Sequence, residues 1–207
     1  MQAKTEINPQ LVKQLREKTN AGMMDCKHAL AEAGGDLDKA ETILRKKGIA
    51  TASSKASRAT KEGIVAAYIH MQGKIGVLVE VNCETDFVAK NENFREFVKD
   101  ITLHIAAAHP LYVTREEVPT KTVEAERAVY EAQVKGKPAN VLGKVVDGKL
   151  DKFYGTVCLL EQAFIKNPDV TIGDLVKSKI AELGENIVIR RFTRYLVGEP
   201  LASESAA

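Results

Sequence analysis

Asn82-Cys83-Glu84-Thr85-Asp86-Phe87-Val88-Ala89-Lys90-Asn91 stands at the junction of two kinds of sequence. Before it, Ile75, Val77, Val79 and Val81 alternate with other residues, the period of a strand buried on one face. After it, Phe87, Asn91, Phe94, Val98, Ile101 and Ile105 recur at helical spacing. Thr85 and Asp86 are helix-starting residues, because short polar side chains accept hydrogen bonds from the unpaired amides of a first turn. A strand passing into a helix through such a corner leaves Phe87 two destinations. One is the buried stripe of the helix. The other is an outward position beside a carboxylate, as a wedge for another protein.

Working outward from the corner, Ile64–Ile69 and Ile75–Val81 flank Gln72-Gly73-Lys74 and read as a β-hairpin. The alternating run Ile187–Val197 is the strongest strand in the chain, and it is expected to join the hairpin in a three-stranded antiparallel sheet covered on one face by helices. The helix that follows the corner is predicted to run to about Ala108, closed by His109-Pro110. Residues 111–119 form a loop or short turn. Further helical patterns run over Thr122–Val134 and, after Gly136-Lys137-Pro138, from Ala139 to about Phe153 across Gly148. The stretch 155–165 is ambiguous between a short strand and an extended segment. Thr171 can cap a helix through Ile172, Leu175, Val176, Ile180 and Leu183, ended by Gly184.

Towards the N-terminus, Ile7–Gly48 reads as three short helices. Asn8-Pro9 starts the first, with Ile7 able to staple onto Val12, and Leu11 and Leu15 share a face. Cys26, Ala29, Leu30 and Ala33 mark the second, which Gly34-Gly35 ends. Asp36 caps a third carrying Leu37, Ala40, Ile43 and Leu44, stopped by Gly48. From Ile49 to Lys61 the chain is small and polar, a solvated linker, flexible or weakly helical. The basic residues from Arg45 to Lys61 are also open to reading as a nucleic-acid arm. The fold class is therefore α+β: a three-helix domain at 1–50, a linker at 51–61, an α+β core at 62–198 and a disordered tail at 199–207.

Composition narrows the function. Thirty Lys and Arg against 28 Asp and Glu give a net charge of +2, which argues against a dedicated nucleic-acid binder. No apolar run approaches the roughly 20 residues that span a bilayer. The opening Met1–Glu6 is polar, and Cys26, Cys83 and Cys158 are odd in number and scattered. These features fit a cytoplasmic protein with no membrane partner. Cys83 with His28, His70, His104 or His109 has the residue types of a nucleophile and base, but no local catalytic signature accompanies them. Paired zinc ligands are missing. Asp36, Asp38 and Glu41 lack the loop glycine of a calcium site. With no glycine-rich phosphate loop, the chain is expected to bind neither nucleotide nor any other cofactor.

The segment Thr85–Asn91 resembles a signature of the elongation factor Ts family, the nucleotide-exchange partners of the GTPase elongation factor Tu. The run from Leu11 through Thr19-Asn20-Ala21-Gly22-Met23-Met24-Asp25-Cys26-Lys27 is similar to that family's opening signature. Further similarity runs through His104-Ile105-Ala106-Ala107 and Gly184-Glu185-Asn186-Ile187-Val188-Ile189-Arg190-Arg191. The resemblance implies a ubiquitin-associated-like domain at 1–50 and a dimerisation-type core. It implies an exchange factor that makes and breaks no covalent bond and acts on elongation factor Tu without touching nucleic acid. Thr85, Asp86, Phe87 and Val88 would dislodge the Mg²⁺ of elongation factor Tu. Leu15, Met23 and Met24 would grip its nucleotide domain, with the alternative that all three fill a thin core. His104 would lie near its more distant domain. The hairpin occurs once, as in the short form of the family, which is expected to recover the missing half by forming a homodimer. A binding-only adapter built on the first domain is the rival reading.

Overall fold

The computed structural model describes residues 7–19, 21–134 and 139–200. Most of the tail expected to be disordered, and the Gly136-Lys137-Pro138 break, lie outside them. The chain is α+β. Its helices and strands are α1 (Pro9–Thr19), α2 (Met23–Glu32), α3 (Leu37–Lys55), β1 (Glu62–His70), β2 (Ile75–Cys83), α4 (Asp86–Lys90), α5 (Glu92–Ala108), α6 (Thr120–Gln133), α7 (Ala139–Val157), β3 (Ala163–Phe164), β4 (Asn167–Thr171), α8 (Ile172–Leu183) and β5 (Val188–Leu196). Backbone proximity groups them into two compact units. One comprises Met1–Gly63, Asn82–Arg95 and Asp174–Val188; the other comprises Ile64–Val81, Glu96–Gly173 and Ile189–Ala207.

In the first unit, α1, α2 and α3 enclose a small core of Leu15, Cys26, Ala29, Leu30, Ala40 and Leu44. Local chemistry fixes the helix ends. Asn8 accepts from the Gln10 N–H at 2.9 Å. Gly35 N–H returns to the Leu30 carbonyl at 2.8 Å, with φ of +64° at Gly34 and +88° at Gly35. Asp36 accepts from the Asp38 and Lys39 amides at 3.1 and 3.0 Å. The expected stop at Gly48 is not there: α3 continues to Lys55, so the weakly helical alternative holds for the first part of the linker. Gly48 is buried, and a Cβ built on it would lie 3.8 Å from the Ala181 Cβ. Gly48 packs against α8 with room for a methyl group and does not end the helix. Arg45 Nη2 binds Asp174 Oδ2 at 2.8 Å, and Lys55 Nζ donates to the Gly184 carbonyl, so the contact is tied at both ends.

The second unit holds the sheet, three-stranded and antiparallel in the order β1-β2-β5, as expected. Ile75, Val77 and Val79 of β2 are buried. The opposite face can be traced by its contacts. A Cβ on Gly76 would sit 3.5 Å from Ile69 Cδ1, and Arg191 Nε binds Glu80 Oε2 at 2.7 Å. Strand alternation then puts Val65, Ile69, Leu78 and Tyr195 together on that face, and all four are exposed. Elsewhere in the unit α6 packs on α7 over Val134, Val146 and Leu150. The ambiguous stretch after α7 becomes a 3₁₀ turn at Leu159–Glu161 and then β3, which pairs antiparallel with β4. Strand β4 was not visible in the sequence, because Asn167-Pro168-Asp169 shows no apolar alternation. No helix among the described residues is long and apolar enough to cross a membrane.

Candidate functional site

The corner between β2 and α5 differs from the sequence expectation in one decisive way. The helix after Thr85 is not continuous. Five residues form α4, and Asn91 then takes φ −66° and ψ 135° before α5 begins. Asn91 Oδ1 accepts from the Asn93 N–H at 2.8 Å, so its side chain starts the new helix instead of filling the middle of one. The break puts Phe87 out of phase with the stripe it was counted in. Phe94, Val98, Ile101 and Ile105 are fully buried, joined by Phe97, whereas Phe87 is 81% exposed. Of its two destinations, the ring takes the outward one.

Polar contacts hold the corner. Thr85 is the N-cap of α4, its Oγ1 accepting from the Val88 N–H at 3.4 Å. The same hydroxyl donates to Glu185 Oε1 at 2.6 Å. Glu185 Oε2 accepts from the Glu84 and Thr85 amides, each at 3.0 Å. Cys83 Sγ donates to the Thr85 carbonyl at 3.2 Å. Burial, then the Glu185 carboxylate, push the Cys83 thiol up to about 11. Cys83 is therefore a buried donor, in surroundings opposite to those that activate a nucleophile. Asp86 is half-exposed and bound by Lys90 Nζ at 2.6 Å, one helical turn on. That bond holds its carboxyl below the usual carboxylate range, so Asp86 is ionised at neutral pH beside the exposed ring.

Thr85, Asp86, Phe87 and Val88 are thus brought together on one short turn. Met23 and Met24 are each 59% exposed at the start of α2. Leu15 differs: it is fully buried in the core of the three helices, which is the alternative left open for it, and no surface presents it. His104, in the other unit, is also fully buried. Its Nε2 lies 3.0 Å from Gln162 Oε1, and its Nδ1 accepts from the Ile165 N–H at 3.4 Å. Burial lowers its pKa although the Gln162 bond opposes this, so the ring is a neutral tie between α5 and the β3 region. Asp36, Asp38 and Glu41 are taken up by the α3 cap and by ion pairs with Lys18 and Lys39. No group of three or more His, Cys, Asp or Glu able to hold a metal occurs among the described residues.

Glu185 is the site residue that the sequence reading missed. It lies within a run similar to the family, and nothing local signals that a residue 100 positions away bonds the corner.

Over most of its length the sequence of this α+β chain is similar to translation elongation factors. The profile of the family described as Elongation factor TS matches residues 40–199. Elongation factor Ts of Carboxydothermus hydrogenoformans is 60% identical over 200 residues, covering 96% of this chain and 92% of the relative. Elongation factor Ts of Caldanaerobacter subterraneus subsp. tengcongensis is 58% identical over 93% of this chain and 98% of its own. That of Thermodesulfovibrio yellowstonii is 56% identical over 93% and 97%. The chain belongs to the elongation factor Ts family.

Proposed function

We propose that the chain is a guanine-nucleotide exchange factor that binds elongation factor Tu in its GDP state and speeds GDP release. The observation carrying this reading is Phe87, a large aromatic held 81% exposed on a hydrogen-bonded corner. A GTPase of the P-loop class holds its nucleotide through backbone amides and Mg²⁺, an ion that demands near-ideal octahedral geometry. Phe87 enters the partner's nucleotide domain and moves the segment behind that ion. Asp86, ionised at neutral pH, disturbs the waters around it, while Thr85 and Val88 fix the turn. Factor and GDP then weaken each other's binding by the same factor, as linkage requires, and GTP in excess takes the vacated site. No covalent bond changes, and the chain uses no cofactor of its own.

Met23 and Met24 make the second contact, their flexible thioethers fitting an uneven helix surface. Leu15 supports them from the core of the 1–50 module, and the buried His104 shapes the surface offered to the partner's more distant domain. The exposed sheet face of Val65, Ile69, Leu78 and Tyr195 supports a homodimer, because isolated sheets rarely leave such a patch uncovered. Neither nucleic acid nor membrane is a partner, and the site of action is the cytoplasm.

Release of fluorescent GDP from elongation factor Tu, with and without the protein, tests the reading. Acceleration that survives Phe87→Ala but is lost with Met23→Ala/Met24→Ala would support an adapter working through the three helices instead. No acceleration by the unaltered protein would end the exchange reading.

A further inference from the structure

The exchange scheme leaves the Gly184-Glu185-Asn186 turn without a task, yet that turn binds the Phe87 corner at the Glu84 and Thr85 amides, the Thr85 hydroxyl and the Glu84 carboxylate. Gly184, at φ +76°, reverses the chain after α8 and brings the Glu185 carboxylate under the end of β2. One carboxylate oxygen takes the amides of Glu84 and Thr85, the two residues from which the Cα positions of Asp86 and Phe87 follow. The other takes the Thr85 hydroxyl. The bonding is reciprocal, since Glu84 Oε1 accepts from the Asn186 N–H at 2.6 Å. Asn186 Nδ2 in turn donates to the carbonyls of Ala56 and Arg58, at 3.3 and 3.0 Å, which anchors the clamp on the segment after α3.

We propose that Glu185 is the positioning residue for Phe87, holding the corner so that the ring stands outward in the orientation needed for exchange. The proposal rests on the exchange reading of Phe87 given above. A helix of five residues cannot sustain itself, because nucleation fixes several residues for one hydrogen bond. The direction of α4, and with it the direction of the Phe87 side chain, is therefore set from outside. Its N-cap is the group that transmits this. The Thr85 hydroxyl is shared, donating to Glu185 while accepting from Val88, so losing the carboxylate frees the hydroxyl to turn away from the α4 amide. The Glu84 and Thr85 amides lose their acceptor at the same time, and the corner opens to water.

The test uses the full chain with Glu185→Ala, Thr85→Val and Thr85→Ser, alone and with Phe87→Ala. Amide hydrogen exchange over residues 84–90 reads the corner without any partner; protection is expected to fall at least ~10-fold in Glu185→Ala. Stimulated GDP release is expected to lose at least ~10-fold in its maximal rate, with the half-saturating concentration nearly unchanged, since misplacement of a working group by about an ångström costs on that order. In the Phe87→Ala background the same substitution is expected to cost clearly less than it does alone, because the part of its effect that passes through the ring is already gone and only the placing of Asp86 remains. Losses that add in the double variant, or slowed release with protection intact, overturn the proposal. Should Glu185→Ala fail to fold, the hydroxyl pair decides: Thr85→Val must lose protection and rate, and Thr85→Ser must restore both. If the unaltered protein does not accelerate GDP release, the exchange reading falls, and loss or retention of corner protection then supports or overturns the clamp by itself.

Discussion

Replacing Phe87 with alanine separates a wedge from a core residue, because the two roles predict opposite pairs of results. The ring is 81% exposed, so little of the burial free energy of a phenylalanine, about 1.5–3 kcal/mol in full, is realised in the free protein. Alanine is also the better helix former, by up to ~0.7 kcal/mol. Stability should therefore move by no more than about 0.5 kcal/mol in either direction, as for an ordinary surface substitution. On docking, the ring passes from water into an apolar setting, and most of that 1.5–3 kcal/mol becomes available. Spent on the nucleotide-loosened state, it corresponds to a factor of about 10–150 in rate. Phe94→Ala is the internal reference: Phe94 is fully buried, and its loss should cost about 3–5 kcal/mol of stability. The assay is stopped-flow release of fluorescent GDP from elongation factor Tu, scaled to the folded fraction from thermal melting. Phe87→Ala that melts like Phe94→Ala, with release per folded molecule unchanged, would refute the reasoning.

Two further substitutions probe the corrected fold and the buried thiols. Gly48→Ala should stabilise the protein by about 0.5–1 kcal/mol, because the helix gains a better former and the new methyl meets the Ala181 Cβ at an ordinary 3.8 Å; calorimetry should show a rise in Tm of a few degrees, and a fall would mean that α3 does not pass through residue 48. Cys26, Cys83 and Cys158 are all free and buried, so Ellman's reagent at pH 8 should leave the native protein unlabelled and titrate all three after denaturation. The Cys83 thiol, raised to about 11 from an ordinary 9.0, favours the folded state below pH 9, and this contribution should disappear as pH climbs through about 11. Melting curves from pH 7 to 11 should accordingly fall less at the alkaline end in Cys83→Ala than in the unaltered chain.

Much of the fold was legible because it is written in local patterns. Asn8-Pro9, Gly34-Gly35 and Asp36 mark helix ends by side chains and φ values that act within three or four residues. The three strands of the sheet show in period-two alternation, and the hairpin makes β1 and β2 neighbours, but that β5 lies beside β2 rather than β1 is not written in any local pattern. The two misreadings have different causes, a distant partner at Gly48 and a local cap at Asn91. Gly48 reads as a stop on its own, but its surroundings in the fold, packed against Ala181 of α8, let α3 run on through it. Asn91 fits the apolar spacing between Phe87 and Phe94 by number alone. Its amide side chain prefers to cap, and one cap in mid-pattern changes the fate of a phenylalanine four residues earlier. Leu15 is the reverse case: the family resemblance implied a partner contact for it, but the residue is buried in the three-helix core, the alternative that its place beside Leu11 on one helix face left open.

The same contrast explains why the corner is built from polar contacts. A ring on a loose loop would have to order its backbone on docking, at about 1–2 kcal/mol per residue. Over Glu84–Phe87 that is roughly 4–8 kcal/mol, more than the 1.5–3 kcal/mol the ring itself can return. The segment is useful as a wedge only if it is already ordered in the free protein, as binders that rely on preorganisation are. An apolar clamp could supply the order, but it would also offer Phe87 a surface to fold back on, and the ring would end in the core beside Phe94. A carboxylate under the backbone avoids this. Glu185 binds two amides and a hydroxyl, charge-assisted bonds roughly twice as strong as neutral ones, and presents the ring with nothing apolar to cover it. Order at the corner and exposure of the ring therefore have one cause, and a substitution at residue 185 that preserved the first with apolar packing should abolish the second.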